Sequence, residues 1–121
     1  MRKDIAISVF EVVGSPLCVA SGDGQKVYER LASVLAEEHG AVLSFHNVHM
    51  LTSAFLNTAV GQLYGKFSEE RIRSSVSVVD MEPEDAALLK RVVETAKRYF
   101  KDPERFEQAS RDALEEEDAG A

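Results

Sequence analysis

The chain predicts an α/β fold: a small mixed, mainly parallel β-sheet with packed helices, in the order β-β-α-β-α-β-α plus a C-terminal helix. Short β-branched apolar runs alternate with segments of helical period through its middle, which implies parallel neighbours joined by right-handed crossovers. The 121 residues, 45% hydrophobic and 29% charged, have an ordinary globular balance. That length sustains one core.

Ile5 to Val13 is apolar and β-branched with partial alternation, as in a strand buried more on one face than the other. Gly14-Ser15-Pro16 ends it, and Leu17 to Ala20 reads as a second strand returning in an initial hairpin. After Ser21-Gly22-Asp23-Gly24 the period changes. Val27, Leu31, Val34 and Leu35 recur at helical spacing with charged residues on the other face, and Gly40 closes this amphipathic helix. Ala41 to Phe45 is a short apolar run suited to a central strand.

His46 to Thr52 reads as a loop, and Ser53 as the N-cap of a helix over Ala54 to Phe67 with the stripe Leu56, Val60, Leu63 and Phe67. Gly61 and Gly65 lower helix propensity there and permit close approach of another segment. Val76, Val78 and Val79 mark a further strand. Pro83, with acids around it, opens a long helix buried through Leu89, Val92, Val93, Ala96 and Phe100. Asp102-Pro103 stops that helix. Phe106, Ala109, Ala113 and Leu114 give a terminal segment a weak apolar stripe, on which a homodimer through the C-terminal helix is one expectation.

No apolar run approaches the roughly 18 residues needed to cross a bilayer, and a cytoplasmic protein is expected. Cys18, the only cysteine, lies in an apolar run and is expected in the core. The formal net charge of −7 is concentrated late: residues 101–121 hold eight acids and three bases, against thirteen and eleven before them. Neither part has the basic excess that neutralising phosphates requires, so nucleic acid and anionic membranes are not expected partners.

Three patterns carry chemistry in principle. Gly22-Asp23-Gly24 follows a strand and opens a helix, where backbone N–H groups can cradle a phosphate, but it lacks a third glycine and a P-loop Lys-Ser pair. His46 and His49, with His39 upstream, are imidazoles at metal-ligand spacing, without a thiolate pair or dense carboxylate cluster to join them. Ser53, His49 and Asp80 supply the residue types of a hydrolytic triad, without a G-x-S-x-G elbow. A small hydrolase or nucleotide-binding enzyme using Gly22, Gly24, His46, His49 and Ser53 is therefore the alternative to a binding protein. The leading expectation is no enzyme, no cofactor and no metal. In its place stands a partner-binding or phosphorylation surface at Thr52, Ser53, Phe55, Asn57 and His49, with a plain helix cap as the other reading of the hydroxyls.

The order of elements resembles the STAS-like domain family, small prokaryotic proteins related in fold to anti-sigma factor antagonists. The resemblance runs from about Gly14 to Phe100 and is most specific in Val42-Leu43-Ser44-Phe45-His46-Asn47-Val48, Leu51-Thr52-Ser53-Ala54-Phe55-Leu56-Asn57 and Gly61-Gln62-Leu63-Tyr64-Gly65. In anti-sigma factor antagonists a strand leads through an Asp-Ser-Ser-Gly-like turn into a helix, and the second serine is phosphorylated by a kinase that is also the partner. The resemblance places Ser53 at that position and Thr52 at the serine before it, with Leu51 and Ala54 replacing the aspartate and glycine. Together with the charge distribution this gives an expected STAS-like α/β domain over residues 1–101 and an acidic C-terminal helix and tail over 102–121; the resemblance implies a regulatory binding role with a GHKL-type ATPase as partner.

Overall fold

The computed structural model describes residues 2–101. The expected terminal helix, with Phe106 and Leu114, lies outside the described residues. The elements are β1 (Asp4–Ser8), α1 (Val9–Val13), β2 (Leu17–Cys18), α2 (Ser21–Ala36), β3 (Gly40–Ser44) and β4 (Met50–Leu51), then α3 (Ser53–Ala59), a 3₁₀ helix (Gly61–Gly65), α4 (Glu69–Ser75), β5 (Val76–Val79) and α5 (Pro83–Lys101). The three-stranded sheet has the order β1-β3-β5 and the two-stranded sheet pairs β2 with β4, every pairing being parallel. The α/β class with mainly parallel strands is thus as the sequence predicts.

The initial hairpin is not formed. Ser8 caps a helix instead of continuing the strand, its hydroxyl accepting from the Glu11 N–H at 3.2 Å, and Gly14 ends that helix at φ +78 with its N–H on the Phe10 carbonyl. Ser8-Val9-Phe10-Glu11 has the serine-to-glutamate spacing of a capping box, and this local hydrogen bonding outweighs the strand propensity of Val9, Val12 and Val13. The chain then passes from one sheet to the other, so β2 meets β4 and not β1.

The core is one cluster centred on Leu31 and Leu35 of α2, Leu43 of β3, and Phe55 and Leu56 of α3. α2 crosses α3 closely because Gly24 has no side chain: a Cβ there would stand 2.6 Å from the Phe55 carbonyl oxygen and 3.0 Å from Thr58 Cβ. The helix expected to run to Phe67 breaks at Val60, and Gly61 to Gly65 winds as 3₁₀. Gly65 lies against the Phe100 ring, which occupies the space a Cβ would need. Ser68 then caps α4, its hydroxyl accepting from the Arg71 N–H at 3.1 Å with Glu69 and Glu70 in the first turn. That helix falls where no element was expected. α4 is fastened to α5 by Glu69 and Lys97 at 2.9 Å.

Candidate functional site

The segment between β3 and α3 is tied down on both sides. At the end of β3 the Phe45 N–H donates to the Val79 carbonyl at 3.1 Å. The Ser44 hydroxyl donates to Asp80 Oδ2 at 2.9 Å and accepts from the His46 N–H at 3.3 Å. Asn47 and Asp80 take positive φ, +66 and +59, at the two strand exits. Their short polar side chains make them, after glycine, the residues best suited to that conformation. The His49 and Met50 N–H groups both donate to the Pro16 carbonyl, at 2.8 and 3.2 Å, and the Thr52 N–H donates to the Cys18 carbonyl at 3.3 Å. The segment is therefore laced to β5 at one end and to β2 at the other.

The two adjacent hydroxyls differ in kind. Thr52, not Ser53, is the N-cap of α3: its Oγ1 accepts from the Phe55 N–H at 3.2 Å and donates to the Val19 carbonyl at 2.9 Å. Both capacities of that oxygen are used in holding the turn. Ser53 is the first helical residue, exposed, and its hydroxyl bonds to no protein group among the described residues. Phe55, expected on the partner surface, is 0% exposed and belongs to the core, because the third residue of α3 points back onto α2. Asn57 is exposed one turn after Ser53 and borders a small cavity against α5. His49 is exposed in the loop.

In place of Phe55, the solvent-facing apolar groups beside Ser53 are Leu17 (50% exposed), Val19 (37%) and Met50 (55%). Leu17 and Met50 are register partners across β2 and β4, and so lie on one face of that small sheet; Cys18, next along, is buried. The alternation Leu17-Cys18-Val19 carries this in the sequence: once the thiol is placed in the core, its two neighbours must face outward. Burial, and secondarily the carboxylate of Asp23, push the Cys18 thiol above its ordinary value, which suits a core residue.

The groups of the alternative, enzymatic constellation do not converge. His46, His49 and Asp80 share a cavity of about 420 Å³ with Glu82 and Asp85, but Ser53, Gly22 and Gly24 do not line it. Gly22 and Gly24 lie in the first turn of α2, where Gly24 serves the contact with α3. His39 is at the opposite end of β3, its Nδ1 accepting from the Lys3 N–H at 3.1 Å. No group of three or more His, Cys, Asp or Glu among the described residues is arranged to hold a metal ion, and no helix among them is long and apolar enough to cross a membrane.

Parallel strands backed by helices, with a hydroxyl-bearing turn leading from a strand into a helix, define a small α/β domain of STAS-like type. The model of the STAS-like domain of unknown function (DUF4325) matches residues 23–86, just over half the chain, and the protein belongs to that family. The match covers α2 through the start of α5 and includes Thr52 and Ser53. No curated protein and no solved structure gives a match. A STAS-like domain fits a regulatory module at the level of the family.

Proposed function

We propose that this protein is a non-enzymatic regulatory interaction module, anti-sigma-antagonist-like, that binds a protein partner over the β2–β4 face and the start of α3 and is controlled by phosphorylation of Ser53. The observation that carries the reading is the contrast between the two hydroxyls. Ser53 is exposed, with no hydrogen bond from its hydroxyl among the described residues, beside three solvent-facing apolar side chains, whereas Thr52 is committed to its cap and to Val19. A kinase can therefore modify Ser53 without dismantling the turn. Resemblance to anti-sigma factor antagonists supports a GHKL-type ATPase in that role.

In the transfer, Ser53 Oγ displaces ADP from the γ-phosphorus of ATP and its proton passes to a base on the kinase. The product adds about two negative charges next to Leu17, Val19 and Met50. A net charge of −7 argues for a protein partner over nucleic acid or an anionic membrane surface, and a lone buried thiol is in keeping with a cytoplasmic setting.

The test is phosphopeptide mapping of the protein from its native cells, combined with capture of partners by wild type, Ser53→Ala and Ser53→Asp. The reading expects phosphate on Ser53, none on Thr52, and a partner set that differs between the two variants. An unmodified Ser53 under all growth conditions, with identical capture by all three proteins, would count against it.

A further inference from the structure

Charge is segregated along this fold in a way that composition conceals. From residue 4 to 25, from 31 to 65 and from 74 to 89 there is no lysine or arginine. These stretches contain every strand and also supply the connections at the carboxyl ends of β1, β3 and β5, where the acids Glu11, Asp80, Glu82, Glu84 and Asp85 are found. The bases lie elsewhere: Arg2 and Lys3 before β1, Arg71 and Arg73 in α4 before β5, and the rest largely on α2 and along α5. One pole of the domain is therefore rich in acids, and Lys26, one turn into α2, is already paired with Asp23 at 3.4 Å. Its apolar surface is Leu17, Val19 and Met50, and the segment from His46 to His49 joins that surface to the cavity bordered by Asp80, Glu82 and Asp85.

We infer that this pole docks a basic amphipathic segment of a protein partner, its apolar residues seated on Leu17, Val19 and Met50 and its lysines or arginines over Asp80, Glu82 and Asp85. The inference rests on the interaction reading above and adds the chemistry of the partner. Charge complementarity selects the occupant. A second copy joined through the same pole in a two-fold contact would bring acids against acids, and a negatively charged bilayer would be repelled. Phosphorylation of Ser53 then deepens the negative potential of the pole and strengthens the long-range attraction of such a segment.

The experiment is amide chemical-shift mapping by NMR on the full chain, with a synthetic amphipathic helix of leucine and lysine as probe and the same peptide with glutamate for lysine as control. Saturable shifts are expected at Leu17 to Val19, His46 to Met50 and Asp80 to Glu82 with the basic peptide and none with the acidic one. Affinity should fall by about tenfold or more between about 0.1 M and 1 M salt, as the screening length drops from roughly 10 to 3 Å. The Glu82→Gln/Glu84→Gln/Asp85→Asn variant should lose most of the shift, Met50→Ser likewise, and Glu29→Gln/Glu37→Gln none of it. Shifts spread evenly over the surface, equal binding of the acidic peptide, or a concentration-dependent mass placing a second copy on this face would overturn the inference. A native partner that lands on Leu17 and Met50 with acidic groups refutes the charge assignment alone; a partner that footprints elsewhere removes the interaction reading at this face as well.

Discussion

Replacing Thr52 and Ser53 separately by alanine separates the hydroxyl that holds the turn from the one that does not. Thr52→Ala removes the N-cap bond to the Phe55 N–H, a loss of about 1 kcal/mol within a range of roughly 0.5–2. It also removes the bond from Oγ1 to the Val19 carbonyl, worth roughly 0.5–1.5 kcal/mol net, toward the lower end because solvent reaches Val19 and can replace the donor. The sum is about 1–3 kcal/mol, and each kcal/mol lowers Tm by about 4–8 °C in a domain near 100 residues. Thr52→Ser keeps both bonds and should stay within about 0.5 kcal/mol of wild type. Ser53→Ala removes an exposed hydroxyl that has no partner among the described residues and should likewise change stability by less than about 0.5 kcal/mol. Urea unfolding followed by circular dichroism gives all three values. Equal losses for Thr52→Ala and Ser53→Ala, or a Thr52→Ala protein as stable as wild type, would refute the assignment of the cap to Thr52.

Gly24→Ala should destabilise relative to Gly22→Ala by about 1–3 kcal/mol, since both gain the same helix propensity but only the Cβ at 24 is driven into the Phe55 carbonyl; paired thermal melts would show otherwise if the two variants rank equal. Cys18 should react with a thiol reagent only as fast as the fold opens, so a native protein labelled at the rate of a free thiol contradicts its placement. Glu69 is held below its ordinary carboxylate value, first by the hydrogen bond from Lys97 and then by its charge, and Lys97 is raised by the same bond. The contribution of the pair is therefore present above the unfolded-state value of Glu69, lost as pH falls through its lower folded value, and lost again as pH rises through the raised value of Lys97. Carboxyl NMR titration of Glu69 in wild type and Lys97→Met should show the midpoint moving up when the amine is removed; an unmoved midpoint contradicts the link between α4 and α5.

The fold class was legible because the core alternates in period: the apolar spacing of α2 and α5 and the short apolar run of β3 each commit to one element. What failed were boundaries decided by single hydrogen bonds. Ser8 and Ser68 each start a helix through a hydroxyl bonded three residues ahead, and nothing in the apolar pattern of Ile5 to Val13 announces that switch. The parallel pairing of β2 with β4 was illegible for a related reason: two strands of two residues carry almost no period, and their register depends on Pro16 and Cys18 carbonyls meeting a loop over thirty residues away. At the site, sequence assigned the cap one residue late, to Ser53 where the structure has Thr52, and chose Phe55 as the exposed apolar group. The core position of Phe55 follows from tertiary packing of α3 on α2; the outward face of Leu17 could be read from its alternation with Cys18, whereas that of Met50 needs the pairing of β4 with β2.

In the proposed function a protein partner covers the β2–β4 face beside Ser53. Hydrogen-exchange footprinting of the native complex against the free protein tests it most directly. Slowed exchange is expected in residues 17–20 and 46–54, with little change along the exposed face of α5. Protection confined to α5, with exchange at Met50 to Ala54 unaltered, would contradict it.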